Sequence, residues 1–368
     1  YEAVEADGCI VTAILVNGEQ AESLGQGDEA IVLLNKTPFY AESGGQVGDT
    51  GVIRAGALQF EVQDTIKLAG VFHAHVGRVR SGSVKVGDSV TAAIDADRRR
   101  SIVLHHSATH LMHAALKEVL GDHVEQRGSL VAPDHLRFDF THPRAVTEQE
   151  LTEVERLVNQ EIRVNPDSDV QVMSFDDALK TGATALFGEK YGDRVRVVQF
   201  GAFSTELCGG THVDRVGDIG QFKIVEEAAI AAGIRRIVAV AGESAVERIQ
   251  TMDEQLKDLA RVLKVAPDAL EDRLRQVLDR SKTLEKEVAD LKSKMAAASG
   301  DELLDRAEDI NGIKVLAARL DEVDPKSLRD TVDRLKDRLG SAVVVIGSAG
   351  DGKVRLAAGV SKDLISRI

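Results

Sequence analysis

The chain has 368 residues, 43% of them hydrophobic and 29% charged, which is the mix of a globular protein and rules out wholesale disorder. That length fits two or three domains. A net charge of -14 excludes a generally basic nucleic-acid binder but leaves room for a local basic patch on an acidic body.

No run approaches the ~18 apolar residues of a membrane span. The most apolar stretch, AAIAAGIRRIVAVAG, is cut by Arg235 and Arg236. Two cysteines, Cys9 and Cys208, build no disulfide framework, and no secretory segment opens the chain. Both facts fit a reducing, cytoplasmic setting. The chain starts at Tyr1 rather than Met and stops at Ile368 inside the first turns of a helix, so it reads as a piece of a longer protein.

Residues 1–97 read as short strands punctuated by glycine, among them CIVTAILVNG, EAIVLLNKTPFY, VFHAHVGRVR and DSVTAAID. Turn signals such as Asn17-Gly18 separate them, so a small β-barrel or sandwich is expected. A Gly-rich stretch, AESGGQVGDTG, interrupts that pattern.

Residues 98–244 read as a mixed α+β domain. RRRSIVLHHSATHLMHAALKEVLG places Ile102, Leu104, Leu111, Ala115, Leu116, Val119 and Leu120 at helical spacing. Gly121 is a plausible C-cap. LRFDF is a strand. TEQELTEVERLVNQEI is a helix with Thr147 as N-cap and Glu150 at the capping-box position.

Residues 245–300 carry a coiled-coil seam through Leu270, Leu274, Val277, Leu284, Val288, Leu291 and Met295, after a shorter stripe at Ile249, Met252, Leu256, Leu259 and Leu263. An antiparallel helical hairpin is expected, serving as a spacer or a self-association element. Residues 301–368 alternate strand and helix as a small α/β domain, cut off at its last helix. Its GSAGDGK turn joins two strands and lacks P-loop spacing.

Histidines concentrate on the helix at 98–121. His106 and His110 lie four apart, so both imidazoles leave one face about a turn apart. Alone, that pair is as consistent with packing as with metal binding. A second half-site is CGGTH, residues 208–212, where two glycines let a thiol and an imidazole fold back toward one ion. Sulfur and nitrogen donors suit zinc. A zincin protease is excluded, because Ser107 stands where its glutamate base is needed.

HHSATHLMHAAL, then HVEQRGSLVAPDHLRFDF, then LCGGTHVDRVGDIGQFKI, with FYAESGGQVGDTG upstream, together resemble the editing domain of alanyl-tRNA synthetases. The hairpin and the last α/β unit resemble that family's C-terminal region. The editing portion is also similar to free-standing alanyl-tRNA editing proteins, and its zinc motif to the threonyl enzymes. The resemblance implies that the aminoacylation domain precedes Tyr1. It implies hydrolysis of tRNA(Ala) mischarged with serine or glycine, because a pocket sized for alanine excludes neither well. By motif match it puts zinc on His106, His110, Cys208 and His212. Four protein ligands ordinarily mean a closed structural site, so a zinc-stabilised tRNA-binding module without catalysis is the competing reading.

The resemblance also makes Gln126 a pocket residue that contacts substrate or water. Ser43 and Gln46 belong to the family's pocket-forming stretch. Ser43 is either a partner for a serine hydroxyl or a plain turn residue. Asp139, which alternates with Phe138 and Phe140, is either an inward carboxylate or the polar face of a strand, the latter preferred. Arg98, Arg99 and Arg100 read as a solvated face, with a phosphate partner as the rival reading, since cations oppose the dipole at a helix N-terminus.

Overall fold

β1 (Glu5–Val16) buries Cys9 and Val11, then shifts phase at a bulge between Val11 and Ala13, so that Ile14 again faces inward. The computed structural model containing it describes residues 3–184, 192–320, 323, 325–350 and 353–365. The chain forms two compact units, Tyr1–Asp253 and Glu254–Ile368.

In the first unit β1 is followed by β2 (Glu19–Ala21), β3 (Ser23–Leu24), β4 (Glu29–Leu34), β5 (Gly51–Ala55), β6 (Leu58–Leu68), β7 (Phe72–Ser81), β8 (Val84–Lys85) and β9 (Ser89–Ile94). Six of them run in the order β1-β4-β7-β6-β5-β9, and β9 pairs back onto β1. The ring is a closed barrel without a free edge. Asn17 and Gly18 take φ of 53° and 85° between β1 and β2, the left-handed pair that a tight hairpin needs. Cys9, Val32, Phe60, Val79 and Ala92 fill the inside.

His75 on β7 is fully buried in this barrel. Its Nδ1 donates to the Val32 carbonyl and its Nε2 faces the Thr37 hydroxyl, both at 2.8 Å. Burial holds the imidazole down at about 4, against the opposing pull of the Val32 carbonyl. An unfolded imidazole titrates near 6.5, so the unfolded chain takes up a proton before the folded one does. The stabilisation is therefore complete above about pH 6.5 and is lost as pH falls toward 4, a change of about 3 kcal/mol. Denaturant midpoints at pH 7 and pH 4.5 check this. His75→Gln is expected to flatten the difference, and an equal loss in that variant removes His75 as its source.

β4 and β5 are joined by a strap that crosses toward the rest of the unit. Tyr40 N donates to Asp49 Oδ2. Gly44 and Gly45 take φ of 58° and 85° in the Ser43–Gln46 turn, a pair of positive values that glycine tolerates best.

α1 (Ala96–Leu120) starts at Asp95, whose carboxylate accepts from Arg98 N, and ends at Gly121. It is buried around most of its girth. Arg99 is not solvated as its basic run suggests: it is buried and ion-paired with Asp49 of the strap, a partner that local sequence could not reveal. Then come β10 (Gln126–Val131), β11 (Leu136–Thr141), α2 (Glu148–Val164), β12 (Ser168–Ser174), α3 (Phe175–Lys180), β13 (Arg194–Phe200), β14 (Ser204–Leu207), β15 (Phe222–Ala231) and β16 (Ile234–Ala241). Thr147 and Glu150 form the expected capping box on α2.

One sheet has the order β10-β11-β16-β15, and a smaller one β12-β13-β14. Leu111, Met112, Leu116, Phe138, Phe140, Val154, Val158 and Ile237 pack α1 and α2 onto the larger sheet. Asp139 on β11 is also buried rather than solvent-facing. The guanidinium of Arg236 on the neighbouring β16 reaches it with two hydrogen bonds, at 2.6 and 2.8 Å.

α4 (Glu243–Leu263) runs across the limit between the units, and α5 (Leu270–Glu302) lies in the second. Both helices stand where the sequence puts them. Their apolar stripes, from Met252, Leu256 and Leu259 to Leu274, Val277, Leu284 and Leu291, are exposed, so the expected packing of one stripe on the other is not seen. Periodicity identifies an apolar face but not what covers it.

The second unit continues with β17 (Glu308–Ile310), β18 (Ile313–Arg319), α6 (Pro325–Leu339), β19 (Ala342–Gly350) and β20 (Lys353–Val360), in the sheet order β17-β18-β19-β20. β18 and β19 are parallel and α6 makes the crossover such a pair requires. Leu316, Leu328, Val332, Leu335 and Val344 form its core. The GSAGDGK tip at 351–352 lies outside the described residues, as do 366–368; before them, Lys362–Leu364 form one 3-10 turn where the last helix is expected. No helix among the described residues is long and apolar enough to cross a membrane.

Candidate metal centre and cleft

α1 supplies His106 and His110 one turn apart, and their rings stack at 5.1 Å. The CGGTH segment following β14 brings Cys208 and His212 to the same point. One donor atom from each of the four residues lies within 4.8 Å of the other three. Sγ of Cys208 is 3.3 Å from Nε2 of both His106 and His212. A tetrahedral zinc with one sulfur and three nitrogen ligands sets the S···N edge at about 3.5 Å.

Each half-site is held from behind. Nδ1 of His106 lies 2.6 Å from Gln46 Oε1, and Nδ1 of His110 lies 2.5 Å from Glu206 Oε2. The other Glu206 oxygen meets His113 Nδ1 at 2.8 Å. Ser107 Oγ accepts from Val213 N at 3.1 Å, which ties the CGGTH segment to α1. Arg196 reaches the carbonyls of Cys208 and Gly210. The second glycine is required by space, because a Cβ on Gly210 would stand 2.0 Å from His106 Cε1.

The electrostatics favour the ligand forms. Burial pushes the Cys208 thiol up, but the imidazoles of His106, His212 and His110 overcome it and hold it well below the usual thiol range. Burial, aided by the charges of His106 and His110, keeps His212 at about 3 and therefore neutral. His110 is the exception. Burial pushes it down, yet Glu206 and Cys208 hold it at about 10. Its Nε2 is buried with no hydrogen-bond partner, a cost natural proteins rarely accept without a reason. A thiolate and an orphaned ring nitrogen facing one point, with a buried carboxylate behind that ring, fit a soft divalent cation, whose binding would release the His110 proton.

Three of the four donors, His106, His110 and Cys208, also line a cleft of about 290 Å³. Gln126, at the start of β10, and Ser43 are on its walls, with Tyr40, Thr109 and Ser129. Ser43 Oγ accepts from Lys67 Nζ at 2.9 Å. Gln46 faces the other way: it is fully buried behind His106 and is not on the cleft wall. Lys67, Arg194 and Arg196 make the walls basic on an otherwise acidic protein.

Sequence reading passed over Glu206, Lys67, Arg194 and Thr109. Glu206 is accessible in principle, since in STELC it stands two residues before Cys208, near the end of the strand that leads into the CGGTH segment. Lys67 on β6 and Arg194 on β13 lie far from α1 in the chain, whereas Thr109 stands directly before His110 on α1.

Residues 1–98 match the family model described as tRNA synthetases class II (A). Residues 195–238, which include Cys208 and His212, match the threonyl and alanyl tRNA synthetase second additional domain. The chain is 52% identical to the alanine–tRNA ligase of Cupriavidus necator and 49% identical to that of Stenotrophomonas maltophilia. Each alignment has 368 residues, covering 100% of this chain and 42% of the relative. The alanine–tRNA ligase of Ralstonia nicotianae is likewise 52% identical over the same share. The chain thus spans about two fifths of the length of the curated relatives it matches, 42%.

Proposed function

The chain belongs to the family of alanine–tRNA ligases, and on that premise we propose that its cleft hydrolyses the ester of serine or glycine wrongly attached to tRNA(Ala), with zinc held by His106, His110, Cys208 and His212. One observation carries this reading: the donor cluster opens into a cleft that also holds Gln126 and Ser43. A purely structural ion is normally closed off by its ligands and has no need of such a cleft.

Zinc bound there would supply Lewis acidity on one wall. The remaining chemistry falls to the chain's own groups. Gln126 offers a donor and an acceptor to the attacking water or to the substrate. Water oxygen bonds to the ester carbonyl carbon, the bond to the ribose oxygen breaks, and the proton of the water ends on that leaving oxygen. Lys67 and Arg194 on the walls present cations to the phosphates next to the ribose. Ser43 Oγ, held by Lys67, is a partner for a serine hydroxyl, which alanine lacks. A site that hydrogen-bonds a hydroxyl favours serine over alanine; glycine, which also lacks the hydroxyl, gains nothing from this contact.

Single-turnover deacylation tests the proposal. The chain is expected to hydrolyse Ser-tRNA(Ala) and to spare Ala-tRNA(Ala). Equal hydrolysis of the two, or of neither at high enzyme concentration, removes the editing reading. Hydrolysis of neither with retained tRNA binding supports the second reading, a zinc-stabilised tRNA-binding module, which the four protein donors favour. A free-standing editing protein is the remaining alternative for the same chemistry, and the additional α/β unit after α5 weighs against it.

A further inference from the structure

We infer that Gln46 is a positioning residue: by gripping His106 and the CGGTH segment together, the barrel's strap completes the metal site. The inference rests on the reading of the four donors as a metal centre.

Gln46 is fully buried, and its amide is committed at both ends. Oε1 accepts from Thr211 N at 3.0 Å and lies 2.6 Å from His106 Nδ1. Nε2 donates to Thr211 Oγ1 at 2.9 Å. The Thr211 backbone N–H fixes which end of the amide is oxygen. An amide oxygen only accepts, so His106 must carry its proton on Nδ1. The lone pair is then on Nε2, the atom 3.3 Å from Cys208 Sγ. One side chain thus selects the tautomer of one donor and anchors the loop that carries two others.

The strap is fitted closely enough to do this. A Cβ on Gly48 would stand 2.1 Å from Thr65 O, and one on Gly45 would stand 2.6 Å from Ser129 O. Val131 N donates to Gly45 O, and Val47 N to Val131 O, so the strap is also stitched to β10. An apolar side chain of similar size would fill the space but would leave His106 Nδ1 and Thr211 N without acceptors. Beside it, Glu206 holds His110 in the same manner with a carboxylate, which indicates that an acidic side chain can replace the amide.

The test is Co(II) titration of the full chain, read by the visible absorption of the bound ion, for wild type, Gln46→Leu, Gln46→Asn and Gln46→Glu. Leu removes the acceptor, and Asn keeps the amide but falls one methylene short, which guards against a packing failure in the Leu variant. Both are expected to bind Co(II) about 10–100-fold more weakly with an altered spectrum. Glu is expected to restore affinity to near wild type. Wild-type affinity and spectrum in the Leu and Asn variants overturn the inference, and so does a Glu variant no better than Leu, which would assign the loss to packing. A wild-type chain that takes up no Co(II) overturns the metal reading itself, a different outcome.

Discussion

Cys208→Ala is expected to abolish tight metal binding and to slow deacylation at least about tenfold, ~1.4 kcal/mol of transition-state stabilisation, while the chain keeps a cooperative thermal transition. A structural zinc in a small domain contributes about 10 kcal/mol or more, against a whole-domain stability of about 5–15 kcal/mol. If the ion carried the fold, losing its one anionic ligand would melt the domain. The packing argues otherwise. Leu111, Phe138, Phe140, Val154 and Ile237 join α1, α2 and the larger sheet, and Cys208 touches this cluster only as a partly buried neighbour. The barrel has its own core. Metal content, a melting curve and a single-turnover rate on one preparation decide the matter. An unfolded variant makes the ion structural, and a folded variant with the wild-type rate removes Cys208 from the chemistry.

Glu206→Ala is expected to cost more stability than any other single change at this site, about 3–5 kcal/mol. The carboxylate is buried between two buried imidazoles, at 2.5 Å from His110 and 2.8 Å from His113. Burial pushes its pKa up, yet His110 and His113 overcome this and hold it well below the usual carboxylate range. Removing it leaves two buried N–H groups with no acceptor and, without metal, an uncompensated charge on His110. Glu206→Gln keeps one acceptor and should lose less. Denaturant unfolding at unchanged m-value reads the loss. A drop below about 1 kcal/mol, the range of an ordinary surface pair, would mean that Glu206 does not hold these histidines.

Local sequence determined a good deal of this protein. Alternation and Asn17-Gly18 announce short strands before residue 97, because side chains alternate across a strand and glycine accepts positive φ. Thr147 and Glu150 cap α2 where the spacing says, since a capping box lies within one turn of chain. The paired half-sites at 106–110 and 208–212 were legible because each is a short-range pattern of residue types with metal-binding chemistry. Tertiary structure alone decided what brings them together and what surrounds them. Arg99 sits in a basic run and Asp139 between two phenylalanines, and only the fold shows each buried against its partner, Asp49 and Arg236. Gln46 reads as part of a glycine-rich turn, yet it acts on His106 and Thr211, far away in sequence. Closure of the barrel depends on a pairing between its first and last strands. The apolar seams of α4 and α5 are written in the sequence, but whether they are covered is not. The common reason is range: backbone conformation and amphipathic period are set by neighbours within a turn or two, whereas burial and hydrogen-bond partners depend on chain closure over scores of residues, which no local pattern encodes.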